Sequence, residues 1–194
     1  MIREIARLLV LVYFKIFHRA EFINLRRNVP QTGALILYAN HISNADPLLL
    51  GCAIRRMVYF MAKQELFKNR LISRLMTELG VFPVKRGAGD VSAIKNALAK
   101  LKLGGILSMF PEGTRRKPGK PAEVKPGLAM LAIRAKCPVL PAVVVGKPRF
   151  LNKMKVIYGK PIDLSEYYGK DLANEDYIQI SEMLMKETEK LMEG

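Results

Sequence analysis

Six apolar runs of strand length alternate along this chain with segments of helical periodicity, and that alternation restricts the fold more than any other feature. The runs lie at 34–39, 57–61, 81–84, 105–110, 139–145 and 154–158, with helical patterns at 47–55, 68–79, 90–102 and 126–136. A last amphipathic helix, Asn174 to Met192, carries Ile178, Ile180, Met183, Leu184 and Leu191 as apolar positions. Strands that alternate with helices imply an α/β fold, a mostly parallel central sheet flanked by helices. Such a sheet is buried on both faces, which agrees with unbroken stretches such as Val143-Val144-Val145.

The chain has 194 residues, enough for one sizeable core. The expected organisation is an N-terminal helical element over residues 1–29 and an α/β domain over 30–194. Lys and Arg outnumber Asp and Glu by 32 to 17, a formal charge of +15 that draws the surface to polyanions, either nucleic acid or an anionic membrane. Half of the residues are hydrophobic, yet no apolar run approaches the roughly 20 residues that span a bilayer. Cys52 and Cys137 sit in apolar surroundings and read as buried reduced thiols. They lie far in sequence from each other and from the 2 histidines, so no metal site is expected.

Residues 2–17 begin basic and turn apolar as a signal peptide does, but His18-Arg19-Ala20-Glu21-Phe22 follows in place of a small-residue cleavage site. As a helix this segment is about 24 Å long, short of the roughly 30 Å hydrocarbon core. On a helical wheel Arg3, Glu4, Arg7, Lys15 and His18 share one side, and the rest is apolar. The pattern fits a helix lying in a membrane interface or one packed on the domain core. The basic stripe and the overall charge favour the interface.

Polar clusters stand at the carboxyl ends of four apolar runs. His41 follows 34–39, Lys63 follows 57–61, Lys85-Arg86-Gly87 follows 81–84, and Pro111-Glu112-Gly113-Thr114-Arg115-Arg116 follows 105–110. Ligands of parallel α/β sheets bind at those ends, so the four clusters are expected on one rim. An imidazole base at neutral pH must be His41 or His18, and His41 is the one with a carboxylate five positions on, Asp46. Asp46 precedes Pro47 and reads as a helix N-cap with proline in the first turn. A carboxylate fixed there can also orient the imidazole and stabilise the imidazolium. No Gly-x-Ser-x-Gly elbow occurs, and Ser43 has no second histidine to serve it, so direct attack by a substrate hydroxyl is expected. Arg beside Gly at Arg86-Gly87 and around Gly113 allows backbone N–H groups and a guanidinium to meet one phosphate, although either cluster alone also reads as a solvated basic turn. Glu112 either aligns those arginines, accepts from a substrate hydroxyl, or forms a surface ion pair.

These residues resemble the motifs of the glycerolipid acyltransferase family. Asn40, His41 and Asp46 match its Asn-His-x4-Asp motif, Phe82 to Gly87 its apolar stretch ending in Arg-Gly, and Phe110 to Arg115 its Phe-Pro-Glu-Gly-Thr-Arg motif. Val139-Leu140-Pro141-Ala142-Val143 is similar to its fourth motif, and Ala62-Lys63-Gln64-Glu65-Leu66 to its Ala-Lys-x-Glu-Leu segment. The resemblance covers about residues 30 to 160, and Arg116 departs from it where many members carry Ser. It implies transfer of an acyl chain from acyl-CoA or acyl-carrier protein to the free hydroxyl of a lysophospholipid, lysophosphatidate foremost, with no cofactor and no metal. It implies His41 as the base oriented by Asp46, and Lys63, Lys85, Arg86, Glu112, Gly113, Thr114 and Arg115 as the acceptor and phosphate site, with Lys63 on the phosphate or the developing oxyanion. The N-terminal segment is similar to the family's membrane-docking helices, which implies a peripheral enzyme on the cytoplasmic face of an anionic membrane. Three rivals remain at this point: the same chemistry on glycerol-3-phosphate, another lysophospholipid or an aminolipid; a silent membrane-binding module; and a nucleic-acid-binding domain. The last explains the charge but not the His/Asp pair, and 0 Trp leaves little stacking surface.

Overall fold

The structure is a computed structural model that describes residues 2–85, 90–113, 124–149 and 151–193. Its helices are α1 (Ile2–Phe17), α2 (Leu25–Asn28), α3 (Asp46–Cys52), α4 (Arg70–Glu78), α5 (Val91–Lys102), α6 (Gly127–Ala135) and α7 (Asn174–Glu193). Its strands are β1 (Glu21–Ile23), β2 (Leu35–Ala39), β3 (Val58–Lys63), β4 (Val81–Val84), β5 (Ile106–Met109), β6 (Val139–Val145) and β7 (Lys155–Tyr158), and a short 3₁₀ turn, Gln64–Phe67, leads into α4. Among the described residues the strands form one sheet in the order β1-β7-β6-β2-β5-β3-β4. β6, β2, β5, β3 and β4 run parallel, and β7 is antiparallel to β6. This is the mostly parallel α/β sheet expected from the alternation.

β2 is the central strand, and all five of its residues are buried. Its period of two divides the core. Leu35, Leu37 and Ala39 face the layer that holds Phe14 of α1 and Leu49 and Leu50 of α3. Ile36 and Tyr38 face the opposite layer of α5, α6 and α7. Buried there, the Tyr38 hydroxyl donates to the Leu184 carbonyl of α7 at 2.7 Å, the partner a buried phenol needs.

The strand β1 lies outside the six expected runs. Three residues are too short to show a period, and β1 forms because β7 offers an edge, with Glu21 opposite Lys155 and Lys153 Nζ 2.6 Å from Glu21 Oε1.

α1 is mounted with Arg3, Glu4 and Arg7 of its polar stripe turned inward, while Lys15 stays exposed. Arg7 donates to the Cys52 carbonyl at 2.8 Å, where a cation suits the C-terminal end of α3. Arg3 reaches the Arg55 carbonyl, and Glu4 bridges Arg3 and Arg7. The Arg7 guanidinium bonded to Glu4 holds that carboxyl below the usual carboxylate range. Only Phe14 of this helix is buried. Ile2, Ile5, Leu9, Val12, Tyr13 and Ile16 are each at least half exposed, so the apolar face looks away from the protein. His18 departs from its expected place on the polar stripe. It is buried, with Nδ1 3.1 Å from the Arg149 carbonyl, because the chain turns there to deliver Ala20 into the core and Glu21 to the sheet. No described helix is long and apolar enough to cross a membrane.

Candidate active site

Because β2, β5, β3 and β4 are neighbours and parallel, their carboxyl ends share one rim. His41 leaves β2, Phe110-Pro111-Glu112-Gly113 leaves β5, Lys63 ends β3, and Lys85 leaves β4. With strands about 4.8 Å apart, Lys63 lies roughly two strand spacings from His41 and Lys85 about three. Lys63 and Lys85 are both exposed. Arg86, Thr114, Arg115 and Arg116 lie outside the described residues.

Asn40 determines where the chain leaves the sheet. Its side chain donates to the Val144 carbonyl at 3.0 Å and accepts from the Val144 N–H at 2.8 Å, a two-way latch that continues the β2–β6 ladder past Ala39. The next residue, His41, is thereby turned out onto the rim. Its Nδ1 lies 2.8 Å from Asp46 Oδ2. The same oxygen accepts the backbone N–H groups of Ile42 and Ser43, both at 2.7 Å. Asp46 is fully buried, whereas the His41 side chain keeps 16% exposure. A carboxylate oxygen can only accept, so Nδ1 carries the proton and the lone pair is on Nε2, the tautomer a general base requires.

The expected N-cap role of Asp46 is not what the structure contains. Asp46 is the first residue of α3, after Ala45, and its bonded oxygen reaches back to the loop that precedes it. The loop amides and the imidazole converge on one oxygen, which ties the turn from His41 to Asp46 closed. The helix start serves to aim the carboxylate.

Phe110 completes the imidazole's surroundings. Its ring stacks on His41 with centroids 4.1 Å apart and planes 17° apart. Glu112 is buried. Gly113 closes a turn by donating to the Phe110 carbonyl at 2.9 Å with φ +63, a conformation that favours glycine. A Cβ there would come within 3.3 Å of Lys125 Cε, so the Lys125 chain lies directly over this turn. At the β4 end, Asp90 Oδ2 accepts the Lys85 N–H at 2.8 Å, and Oδ1 caps α5 through Ser92 and Ala93. The Ser92 hydroxyl and these amides hold the Asp90 carboxyl down at about 2.

An apolar groove of about 360 Å³ begins three residues beyond His41. Asn44, Pro47 and Leu48 line it on the α3 side, Ala6 and Val10 on the α1 side, Phe60 and Met61 on β3, and Leu66, Met76 and Leu79 beyond. Burial pushes the Cys52 thiol up to about 12 and that of Cys137 to about 11, so neither is a nucleophile at neutral pH.

Sequence reasoning placed His41 and Asp46 together and put Lys63, Lys85, Glu112 and Gly113 on one rim. It missed the Phe110 stack, the Asn40 latch, Lys125 and the groove. Phe110 was findable, because an aromatic residue leaving a strand on the expected rim must meet whatever leaves the neighbouring strand. Lys125 and the groove had no local signal, since both depend on how distant segments pack.

The sequence profile of the Acyltransferase family matches residues 22–145, well over half of the chain. A 1-acyl-sn-glycerol-3-phosphate acyltransferase of Bacillus subtilis (strain 168) is 32% identical over 148 residues, 73% of this chain and 73% of that protein. One of the same name from Streptococcus pneumoniae is 31% identical over 194 residues, 96% of this chain and 71% of that protein. Among solved structures, the 1-acyl-sn-glycerophosphate (LPA) acyltransferase PlsC of Thermotoga maritima superposes with a TM-score of 0.71 at 25% identity, covering 98% of this chain and 78% of that one. With the family profile spanning residues 22–145 and relatives above 30% identity over most of its length, this chain belongs to the acyltransferase family.

Proposed function

We propose that the protein transfers an acyl chain from an acyl thioester, acyl-CoA or acyl-carrier protein, to the free hydroxyl of lysophosphatidate, giving phosphatidate. The observation that carries this reading is the 2.8 Å bond between His41 Nδ1 and fully buried Asp46, which leaves Nε2 as a base facing the rim. In the reaction Nε2 takes the hydroxyl proton as the acceptor oxygen attacks the thioester carbonyl. A tetrahedral oxyanion forms, stabilised by positively biased groups near Gly113 and by Lys63. Its collapse breaks the C–S bond, and the imidazolium returns the proton to the departing thiolate. Asp46 stays ionised throughout and stabilises the imidazolium while it exists.

The acceptor phosphate is assigned to the rim that carries Lys63, Lys85, Glu112 and Gly113, and by motif resemblance alone also to Arg86, Thr114 and Arg115, which lie outside the described residues. The apolar groove supplies a place for an acyl chain, because it starts beside the His41 loop and most of its lining is apolar, with Arg3, Arg7, Asn44 and Arg56 the polar members. The outward apolar face of α1 supports a peripheral position in the interface, and the charge of +15 favours the anionic cytoplasmic leaflet. The test is thiol release from acyl-CoA, and separately from acyl-carrier protein, in the presence of lysophosphatidate. His41→Ala should reduce release to background, and wild-type turnover by that variant would refute the mechanism.

A further inference from the structure

α4 is an unusual surface helix. None of its nine residues is buried, yet Leu71 is 81% exposed, and Ile72 and Leu75 are each about half exposed. An ordinary surface helix hides its apolar stripe against a core. Here the stripe is split. Met76 and Leu79 turn toward the groove, while Leu71, Ile72 and Leu75 turn outward. Leu66, 53% exposed, and Leu48, 53% exposed, lie on the groove between α4 and α1. The exposed apolar surface therefore occupies both lips of the groove, α1 on one side and α4 on the other.

Charge identifies what this surface meets. Between residues 63 and 78 stand Lys63, Lys68, Arg70 and Arg74 against Glu65 and Glu78. Arg70 and Arg74 are exposed, within one helical turn of Leu71 and Leu75. Apolar side chains ringed by long cationic ones suit the headgroup boundary of an anionic leaflet, where the alkyl stems insert and the charged ends remain in water. A second copy of the chain would bring like charges face to face across a two-fold axis, which disfavours that occupant.

We propose that α4, with Leu66 ahead of it, is a second lipid-contacting element, so that the protein stands on an anionic leaflet by two feet and the groove mouth between them opens into the bilayer. An acyl chain then passes from leaflet to groove without crossing water. The proposal rests on the reading of α1 as lipid-facing, and the experiment separates the two. Leu71→Cys carries an environment-sensitive fluorophore, with Cys52 and Cys137 silent because they are buried. On addition of vesicles of equimolar phosphatidylcholine and phosphatidylglycerol its emission should shift to the blue. An unchanged spectrum overturns the proposal.

In flotation with the same vesicles, the triple variant Leu71→Ser, Ile72→Ser, Leu75→Ser should partition about a hundredfold more weakly, the loss expected when three half-inserted branched side chains become polar. Its circular dichroism and its turnover of a short-chain, water-soluble acceptor should match wild type, since these residues do not line the groove. Partition within twofold of wild type overturns the proposal, as does a variant that changes only the sedimentation size, which would make the face an interface between copies. Leu9→Ser with Ile16→Ser tests α1 alone. Detachment of that variant together with a silent Leu71 label refutes the α4 inference and spares the α1 reading. A shifted label with unimpaired binding of the α1 variant does the reverse.

Discussion

Replacing Asp46 by Asn separates the orientation of His41 from the charge that supports it. The wild-type Oδ2 accepts three donors, His41 Nδ1 at 2.8 Å and the Ile42 and Ser43 amides at 2.7 Å. The amide oxygen of Asn can take that place and keep the imidazole aimed. What disappears is a buried negative charge roughly 4 Å from the centre of the imidazolium, which at an effective dielectric of about 20 is worth about 4 kcal/mol. A neutral bond of about 1 kcal/mol remains, so about 3 kcal/mol of transition-state stabilisation is lost. At 1.36 kcal/mol per decade that is roughly a two-decade fall in kcat. KM should hardly move, because the lost interaction exists only once the proton has transferred. The amide NH₂ must then occupy the site of Oδ1, which is buried and has no hydrogen-bond partner among the described residues. That costs roughly 1–3 kcal/mol, or a fall in Tm of several degrees. The assay is the initial rate of thiol release against lysophosphatidate concentration, with thermal melting in parallel. A kcat within threefold of wild type would refute the role assigned to the carboxylate.

Three further outcomes are expected. Phe110→Leu removes the stacked ring, a contact of roughly 0.5–1.5 kcal/mol, and should lower kcat by up to about tenfold with the fold intact; a lowered Tm and unchanged kcat would make the ring merely structural. Asn40→Ala leaves the Val144 N–H and carbonyl without their side-chain partners at a site where Asn40 is 2% exposed, which costs roughly 2–4 kcal/mol and should be visible as a Tm lowered by about 5–15 °C. Asp90 has a folded pKa of about 2 against an ordinary 3.8, so its stabilising contribution is fully present above about pH 4 and is lost as pH falls through about 2. In Asp90→Asn that part of the acid dependence should vanish from denaturant melts taken between those pH values.

How much of this was legible depends on whether each signal was local. The runs at 81–84 and 139–145 became strands with the same bounds, because a continuous apolar stretch between turn residues has few other uses. His41 and Asp46 were legible as a pair because five positions in a loop suffice for contact. Asp46 as a helix cap was misread. Local propensity places Asp at helix starts, but here two amides from the preceding loop and an imidazole compete for its oxygen and win. His18 was misread for a related reason. A helical wheel assigns it to the polar side, but the chain bends after Phe17, and the Arg149 carbonyl, 131 positions away, satisfies its ring.

The sequence by itself determined the class of fold, the rim on which the polar clusters stand and the residues proposed for the chemistry, because periodicity and motif spacing act within a few residues. It also contained the apolar and basic sides of α1, but not which side meets the protein. That was decided by tertiary structure: the last carbonyl of α3 binds Arg7, the Arg3, Glu4 and Arg7 part of the polar stripe turns inward, and the apolar face is left outside. The ring over His41 and the groove beside it were decided in the same way, by contacts between segments tens of residues apart. Free energies of burial depend on such partners, and a one-dimensional pattern names what each residue can do without saying which partner it will meet.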